Sequence, residues 1–307
     1  MVPLSYTQNM EDYHLALAFG GQHTGFYIDV GAGHPVADNV SLWFYERGWK
    51  GIVAEPQDDL ARLYGSIRPD DIVHQGLIGA STGEADFFHV NHLHGFSTTV
   101  KTFAENAKTF GVGYTATPTA MITLADLCAV HCVSTIDFLK IDVEGAEGEV
   151  LAGNDWTRYR PKIIVAEAVS PGKGEPMWDS WEPLLIANGY RFRLFDTLNR
   201  FYVAEECPDI FERLPAERAP WDAVIHMYEI GRAPECARHP DHNLASQLSR
   251  GLWAALPELD PALVSELLRR GSITSSDITA LWTPDRVGRI ALGRISCGYD
   301  GGQIHED

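Results

Sequence analysis

Short apolar runs alternate with segments of helical period along the first 206 residues of the chain. The apolar runs are GFYIDV (25–30), GIVAEP (51–56), TIDFLKIDV (135–143) and KIIVAEAV (162–169). They are rich in β-branched and aromatic residues, which is typical of strands buried on both faces of a sheet. Helical segments separate the strands, and DSWEPLLIANG (179–189) is an example that ends on a glycine. Strands and helices in alternation predict an α/β fold with a mostly parallel sheet.

Two further strands complete this pattern. YRFRLFD (190–196) and RFYVAEE (200–206) are separated by the three residues TLN, which predicts a tight turn. Strands joined by so short a turn must run antiparallel. We therefore expect one antiparallel terminal strand in an otherwise parallel sheet.

The pattern changes after residue 206. Residues 207–243 are irregular and rich in proline, which predicts a linker. From residue 244 the pattern is helical, and Asp260-Pro261 and Thr283-Pro284 are typical helix starts. The predicted organisation is an N-terminal helical segment, a sheet domain, a linker and a helical extension with a frayed tail, over residues 1–25, 26–206, 207–243 and 244–307.

Charge and cysteine content narrow the functional classes. The chain carries 24 basic and 42 acidic residues, a net charge of −18, which argues against nucleic acid and anionic membranes as partners. Five cysteines are too few and too scattered for a disulfide framework and suit a reducing cytoplasm. The N-terminus lacks the features of a signal peptide, and no apolar run is long enough for a transmembrane segment. We expect a cytoplasmic protein.

The first apolar run leads into an acid and a glycine-containing turn. Asp29 is followed by Gly31, Ala32 and Gly33, and the next strand ends in Glu55. Glycine permits positive φ and close approach of a ligand to the backbone. Ligands of parallel sheets bind at the carboxyl ends of the strands, where a carboxylate can accept both hydroxyls of a ribose. These residues predict a binding site for a nucleoside-containing cofactor.

Two cofactors compete for this turn. A dinucleotide fingerprint requires a third glycine where the chain has Val36, and Asp29 would repel a pyrophosphate. S-adenosylmethionine instead carries a sulfonium and an amino group, which Asp29 can attract. The residues favour S-adenosylmethionine over a nicotinamide cofactor, and a strand–turn–helix without any cofactor is the remaining alternative.

Several segments in the same order make the chain resemble the FkbM family of S-adenosylmethionine-dependent methyltransferases. The matching segments are SYTQNMED (5–12), FYIDVGAGHPVADNVSLWFYERGWKGIVAEP (26–56), SIRPDDIVHQGLIG (66–79), GFSTTV (95–100), FLKIDVEGAEGEVLAGNDW (138–156), RPKIIVAEAV (160–169), WEPLLIANGYRF (181–192) and DTLNRFYVAEE (196–206). The resemblance is narrower to the branch found in polysaccharide and glycosyltransferase settings. It covers roughly residues 5–230. The chain departs from the family at Gly33 and His34, where Asn and other small polar residues are common, and at Thr197, where Gly is usual.

The resemblance implies a class I methyltransferase fold with a Rossmann-like sheet. The helical appendage at the C-terminal end is predicted from the sequence pattern alone, because the resemblance ends near residue 230. It implies that the leading helix covers the cofactor as a lid, with Gln8 and Asp12 among the cofactor-binding residues. The departure from the family at His34 makes this residue a candidate contact for the substrate.

Two acids end adjacent predicted strands and are candidates for the chemistry. Asp142 and Glu167 should meet at the carboxyl edge of the sheet, and Asn199 from the closing hairpin could join them in holding Mg²⁺. The metal would acidify an acceptor hydroxyl. The alternative is that Asp142 and Glu144 position the methionine end of the cofactor and favour the helix dipole.

Histidine and arginine supply further candidates. His92 and His94 precede the GFSTT loop, and either can act as a general base. Arg200 follows the closing turn and is a candidate contact for a hydroxyl-rich acceptor.

The function that these observations favour is O-methylation of a sugar hydroxyl on a glycan or glycosylated metabolite. N-methylation of a peptide or small molecule is an alternative, because nothing in the sequence determines the acceptor atom. A catalytically silent methyltransferase-like docking subunit is the alternative from another class. The C-terminal helices are a candidate interface for a homo-oligomer.

Overall fold

A computed structural model describes residues 2–90, 94–170, 174–271 and 283–300 of the chain. The chain forms two compact units, and the boundary lies between Tyr228 and Glu229. The boundary therefore falls inside the segment 207–243 that was predicted to be a linker. The first part of this segment, up to residue 228, belongs to the N-terminal unit. A helix at Pro208–Arg213 packs there on the helix at Glu11–Phe19, and a short strand at Ile225–His226 pairs with the strand at Leu4–Ser5.

The N-terminal unit contains the strands. They are β1 (Leu4–Ser5), β2 (Phe26–Val30), β3 (Lys50–Ala54), β4 (Ile72–His74), β5 (Leu77–Gly79), β6 (Gly83–Val90), β7 (Tyr114–Thr123), β8 (Phe138–Ile141), β9 (Ile163–Glu167), β10 (Tyr190–Phe195), β11 (Asn199–Ala204) and β12 (Ile225–His226). The α-helices up to the boundary are α1 (Glu11–Phe19), α2 (Leu42–Tyr45), α3 (Asp58–Ile67), α4 (Lys101–Asn106), α5 (Leu124–Val130), α6 (Glu147–Ala152), α7 (Glu182–Ala187), α8 (Pro208–Arg213) and α9 (Met227–Ile230), which spans it.

Seven strands form the main sheet, in the order β10-β11-β9-β8-β2-β3-β4. β4, β3, β2, β8 and β9 are parallel neighbours, and β11 runs antiparallel to both β9 and β10. The predicted antiparallel strand is present. It lies between β9 and β10 and not at the edge, because the hairpin inserts its second strand next to β9.

Both faces of this sheet are buried. Ile28 and Val30 of β2 point into one core cluster, and Tyr27 points into the other. The alternation follows from the two-residue period of a strand. Apolar residues on both faces explain why the central strands are near-continuous apolar runs in the sequence.

A second sheet was not predicted as such. β5, β7 and β6 form it in that order, with β6 antiparallel to β7. The single run DIVHQGLIG (71–79) is divided into β4 in the main sheet and β5 in the small one. β7 was missed because its residues Thr115–Pro118 are exposed and lack an apolar pattern.

The C-terminal unit is helical, as the pattern predicted. Its helices are α10 (His242–Ala255), α11 (Pro261–Gly271) and α12 (Arg286–Asp300). Asp260 caps α11, since its Oδ1 accepts a hydrogen bond from the backbone N–H of Ala262 at 2.8 Å. A homo-oligomer formed through these helices stays a prediction.

Within the described ranges, the helices are all too short or too polar to cross a lipid bilayer.

Candidate functional site

A cleft of about 640 Å³ lies at the carboxyl ends of β2, β3, β8 and β9. Three groups of residues close its sides: the N-terminal segment at Gln8 and Glu11, the glycine turn after β2, and the loop Gly95–Thr99. The location is the one expected for a ligand site in a parallel sheet.

The glycine turn is shaped by a close backbone approach. The N–H groups of Gly31 and Ala32 both donate to the carbonyl oxygen of Ala54, at 3.0 and 3.2 Å. Gly31 has a φ of 71°, and a Cβ atom there would lie 1.7 Å from the carbonyl oxygen of Asp142. A side chain therefore cannot be accommodated at residue 31 without moving β8 away from β2.

Glu55 lies beside this turn with its carboxylate lining the cleft. The side chain is only 2% exposed, and its two oxygens accept hydrogen bonds from the N–H groups of Gly33 at 2.9 Å and Gln57 at 2.8 Å. Burial raises the pKa of Glu55 to about 7, although these hydrogen bonds favour the ionised form. A carboxylate at this edge can accept hydrogen bonds from the paired hydroxyls of a ribose.

Asp29 does not line the cleft, contrary to its predicted contact with the cationic end of a cofactor. Its side chain is 2% exposed, and Oδ2 accepts a hydrogen bond from the Ser41 hydroxyl at 2.6 Å. Asp29 lies within β2, so the pleat directs its carboxylate onto a covered face of the sheet and not towards the open edge. Asp29 therefore belongs to the buried hydrogen-bonded residues behind the glycine turn.

A buried arginine joins the elements beneath the turn. Arg68 is fully buried, with Nη2 2.6 Å from Asp71, and it also donates to Asn39 at 2.7 Å and Ser41 at 2.9 Å. Asn39 in turn donates to the carbonyl oxygen of Ala32 at 3.0 Å. The glycine turn therefore rests on a buried hydrogen-bonded network that no local sequence pattern indicates.

At the N-terminal segment, Gln8 and Glu11 line the cleft and Asp12 does not. Asp12 is fully buried, and its carboxylate accepts hydrogen bonds from Ser5, Tyr6, Thr7 and Tyr13. The structure therefore places Asp12 outside the cleft, and binding of the cofactor by this residue stays a prediction. The Asp12 carboxylate fixes the chain at the start of α1. The acid that lines the cleft from this helix is the preceding residue, Glu11.

The floor of the cleft carries a cluster of carboxylates next to one lysine. Asp142 directly follows β8, and Glu144 lies in the turn between β8 and α6. Glu167 is the last residue of β9. In the part of the chain that the structure describes, these are the three acids arranged to hold a metal ion, with one oxygen from each within 4.8 Å of the others. Lys140 Nζ lies 2.8 Å from Asp142 Oδ2.

The charges in this cluster perturb one another. Burial, followed by the carboxylates of Asp142 and Glu144, raises the pKa of Glu167 far above its usual range. Burial by itself would lower the pKa of Lys140, but Asp142 and Asp29 outweigh it and raise that pKa, so the lysine stays charged. The site is acidic, and its lysine is already paired.

Asn199 is the cross-strand neighbour of Glu167. Its amide Nδ2 donates to Glu11 Oε1 at 2.8 Å and to Asp196 Oδ2 at 3.3 Å. Its Oδ1 is buried, and among the described residues no group donates a hydrogen bond to it. The ligand set of Asp142, Glu167 and Asn199 therefore stays a prediction. The donor end of the Asn199 amide faces one acid three residues away and one, Glu11, that is distant in the sequence.

Arg200 does not line the cleft either. Its guanidinium pairs with Glu182 at 2.7 Å, donates to the Tyr202 hydroxyl at 2.8 Å and stacks on Phe192 at 3.9 Å. Neighbouring residues of a strand point to opposite faces of the sheet. Arg200 follows Asn199 in β11, and its side chain lies on the face that carries Glu182 and Phe192. The predicted substrate contact is therefore corrected to a packing role.

The histidines have different outcomes. His34 lines the cleft as predicted, and its Nδ1 accepts hydrogen bonds from the N–H groups of Val36 and Ala37 at 3.1 and 3.0 Å. This arrangement leaves the proton of a neutral ring on Nε2. His92 and the side chain of His94 lie outside the described residues, so a general-base role for either stays a prediction.

Two groups of lining residues were missed. Lys140 could have been noticed as a charge inside an otherwise apolar strand, since buried lysines are almost always paired. The loop residues Ser97 and Thr98 are buried at the cleft, where the Thr98 hydroxyl donates to the carbonyl oxygen of Glu144 at 2.8 Å. No local signal in the sequence connects that loop to Glu144.

Comparison with known proteins gives one family. The profile of the methyltransferase FkbM domain matches residues 29–192, somewhat more than half of the chain. No curated protein matches the chain significantly. The matched range begins within β2 and includes the glycine turn, Glu55 and the carboxylate cluster.

Proposed function

The chain belongs to the FkbM methyltransferase family, and on that premise we propose that it transfers a methyl group from S-adenosylmethionine to a hydroxyl group of a sugar. The acceptor would be a glycan or a glycosylated metabolite. The observation that carries the proposal is one cleft in which a glycine turn, the buried carboxylate of Glu55 and an acidic floor face the same space.

The cofactor fits the residues that are present. Glu55 would accept the ribose hydroxyls, and Gly31 keeps the backbone close enough for the ligand to rest on the turn. As the alternative to holding a metal ion, Asp142 and Glu144 would attract the cationic methionine end. S-adenosylmethionine supplies a methyl group whose carbon–sulfur bond breaks as the new carbon–oxygen bond forms, leaving a neutral thioether.

The acceptor hydroxyl must lose its proton during the transfer. A sugar hydroxyl is weakly acidic, so a base or a metal ion is needed. Asp142 and Glu167 line the floor and can act on this proton, either through Asp142 as its acceptor or through both as ligands of a metal ion that acidifies the hydroxyl. These carboxylates are therefore the proposed catalytic residues.

The charge of the cleft supports an uncharged acceptor. Its acidic lining residues are Glu11, Asp38, Glu55, Asp142, Glu144 and Glu167, against which Lys140 is already ion-paired. Phosphorylated or carboxylated acceptors would be repelled. Gln8 and Ser97 offer neutral hydrogen-bonding groups to a polyol. The described cysteines are free thiols, which fits the proposed cytoplasmic location.

Binding of the cofactor is the first test. We would titrate S-adenosylmethionine, S-adenosylhomocysteine and NAD⁺ into the full chain by calorimetry, with Glu55→Ala as the variant. Asp59→Ala is the matched control, because Asp59 is exposed on the adjacent helix α3. We expect micromolar binding of the first two ligands, lost in Glu55→Ala and kept in the control. Binding of NAD⁺ alone would overturn the proposal.

Transfer to an acceptor is the second test. Labelled S-adenosylmethionine would be incubated with neutral glycans, uronic-acid glycans and peptides, and the methylated atom determined by NMR. Label on oxygen of a neutral sugar supports the proposal. Label on nitrogen would establish the N-methyltransferase alternative, and tight cofactor binding without transfer to any glycan would favour a silent docking subunit.

A further inference from the structure

We propose that Asp142, Glu144 and Glu167 bind one divalent cation of the Mg²⁺ class at the floor of the cleft. This inference deepens the proposed function, on which it rests for the role of the ion. The three residues each offer one carboxylate oxygen, and the three oxygens lie within 4.8 Å of one another. Separations of this size allow a single ion to contact all three after small side-chain rotations.

The floor gathers acids where few cations are close. Three carboxyl groups lie near one ammonium group, that of Lys140, which is 2.8 Å from Asp142. Glu167 in this group is 7% exposed. Carboxylates at this separation and burial are stabilised either by protons or by a cation. A divalent ion is a counterion that all three carboxylates can share.

An unused oxygen is the independent observation. Glu167 Oε2 is buried, and among the described residues no group donates a hydrogen bond to it. Glu147, a buried acid nearby, shows the usual situation, since its Oε1 accepts from the N–H groups of Val143 and Gly145. A buried acceptor without a donor requires an explanation. The Glu167 carboxylate lines the cleft next to the other two acids, so a cation there would complete its coordination.

The fold holds the third ligand in an unusual backbone conformation. Glu144 has a φ of 56°, in the left-handed region, and its carbonyl oxygen accepts the hydrogen bond of the Thr98 hydroxyl. Its side chain is thereby brought to the same space as the carboxylates that end β8 and β9. Thr98 is a positioning residue for this ligand.

The donor set selects the class of ion. Carboxylate oxygens without histidine or cysteine favour Mg²⁺, Mn²⁺ or Ca²⁺ over Zn²⁺. Three single-oxygen ligands leave coordination positions for water and for one further oxygen, as Mg²⁺ sites at substrates commonly have. A sugar hydroxyl on one of these positions would become more acidic.

The test uses Mn²⁺ alone as the probe. Mn²⁺ would be titrated into the full chain and followed by electron paramagnetic resonance, with Mg²⁺ as competitor. Glu167→Gln and Glu144→Gln are the variants, and Glu149→Gln on the exposed side of α6 is the matched control. We expect one Mn²⁺ per chain, displaced by Mg²⁺, bound at least tenfold more weakly by both variants and unchanged by the control.

Thermal unfolding supplies a readout that does not depend on activity. Mg²⁺ should raise the melting temperature of the unmodified chain and leave that of Glu167→Gln unchanged. Absence of saturable Mn²⁺ binding, or equal affinity in both variants and the control, would overturn the proposal. Intact S-adenosylmethionine binding in that case would leave the proposed function standing, whereas Mn²⁺ binding without cofactor binding would refute the function and not the metal site.

Discussion

The carboxylate of Glu55 predicts that cofactor affinity depends on pH in the neutral range. Burial raises its pKa to about 7, and its two oxygens face the turn where a ribose would lie. Only the ionised form accepts hydrogen bonds at both oxygens. The proton must therefore leave before the cofactor binds well, so affinity is full above pH 7 and falls as the pH drops below it.

The magnitude follows from that single pKa. For one group that must be ionised, the dissociation constant at pH 5.5 should be about 30-fold higher than at pH 8.5. S-adenosylhomocysteine is the suitable ligand, because it is chemically stable over this range and has no sulfonium. Its dissociation constant would be measured by calorimetry at half-unit pH steps, in buffers of equal ionic strength.

Glu55→Gln separates this effect from other titrating groups. The amide cannot ionise, so the variant should bind weakly and with less than about a twofold change over the same pH range. Circular dichroism at each pH would verify that both proteins remain folded. A flat profile for the unmodified chain, or a variant profile that parallels it, would refute the assignment of Glu55 to the ribose.

Three further predictions concern the backbone and the buried network. Thr197 is exposed with a φ of 88°, so Thr197→Gly should raise the free energy of unfolding by about 1 kcal/mol, and Thr197→Ala should not, as measured by urea denaturation. Gly31→Ala should abolish S-adenosylmethionine binding in calorimetry, because its Cβ would overlap the carbonyl oxygen of Asp142; normal affinity would contradict the described turn. Arg68→Met leaves Asp71 buried without its partner and should lower the free energy of unfolding by about 3–5 kcal/mol, and a loss below about 1 kcal/mol in urea would show that the ion pair is dispensable.

Local patterns in the sequence identified the elements that carry the site. β2, β3, β8 and β9 are apolar runs because both faces of the sheet are covered, and such runs are visible without a structure. The glycine turn was equally visible, since close backbone approach excludes side chains at Gly31. Glu55, Asp142 and Glu167 follow from one rule, that acids at the ends of parallel strands meet at one edge.

Elements without an apolar pattern were not visible in this way. β7 is exposed over much of its length, so its residues show no apolar pattern. It is a strand because its backbone pairs with β6. Residues 207–228 resemble a linker, but α8 packs on α1 and β12 pairs with β1. Both are decided by partners that are distant in the sequence.

The sequence by itself indicated the fold class, the glycine turn and the acids of the floor, although it suggested Glu144 only as a contact for the cofactor and not as part of a metal site. The tertiary structure alone decided which way each polar side chain points. Asp12 and Asp29 are bound by donors beneath the surface, and Asn199 is turned to Glu11, whereas the left-handed backbone of Glu144 adds the third carboxylate. The reason is physical: a strand or helix pattern specifies position along the chain, but the direction of a buried polar group is set by the hydrogen-bond partners that packing brings to it.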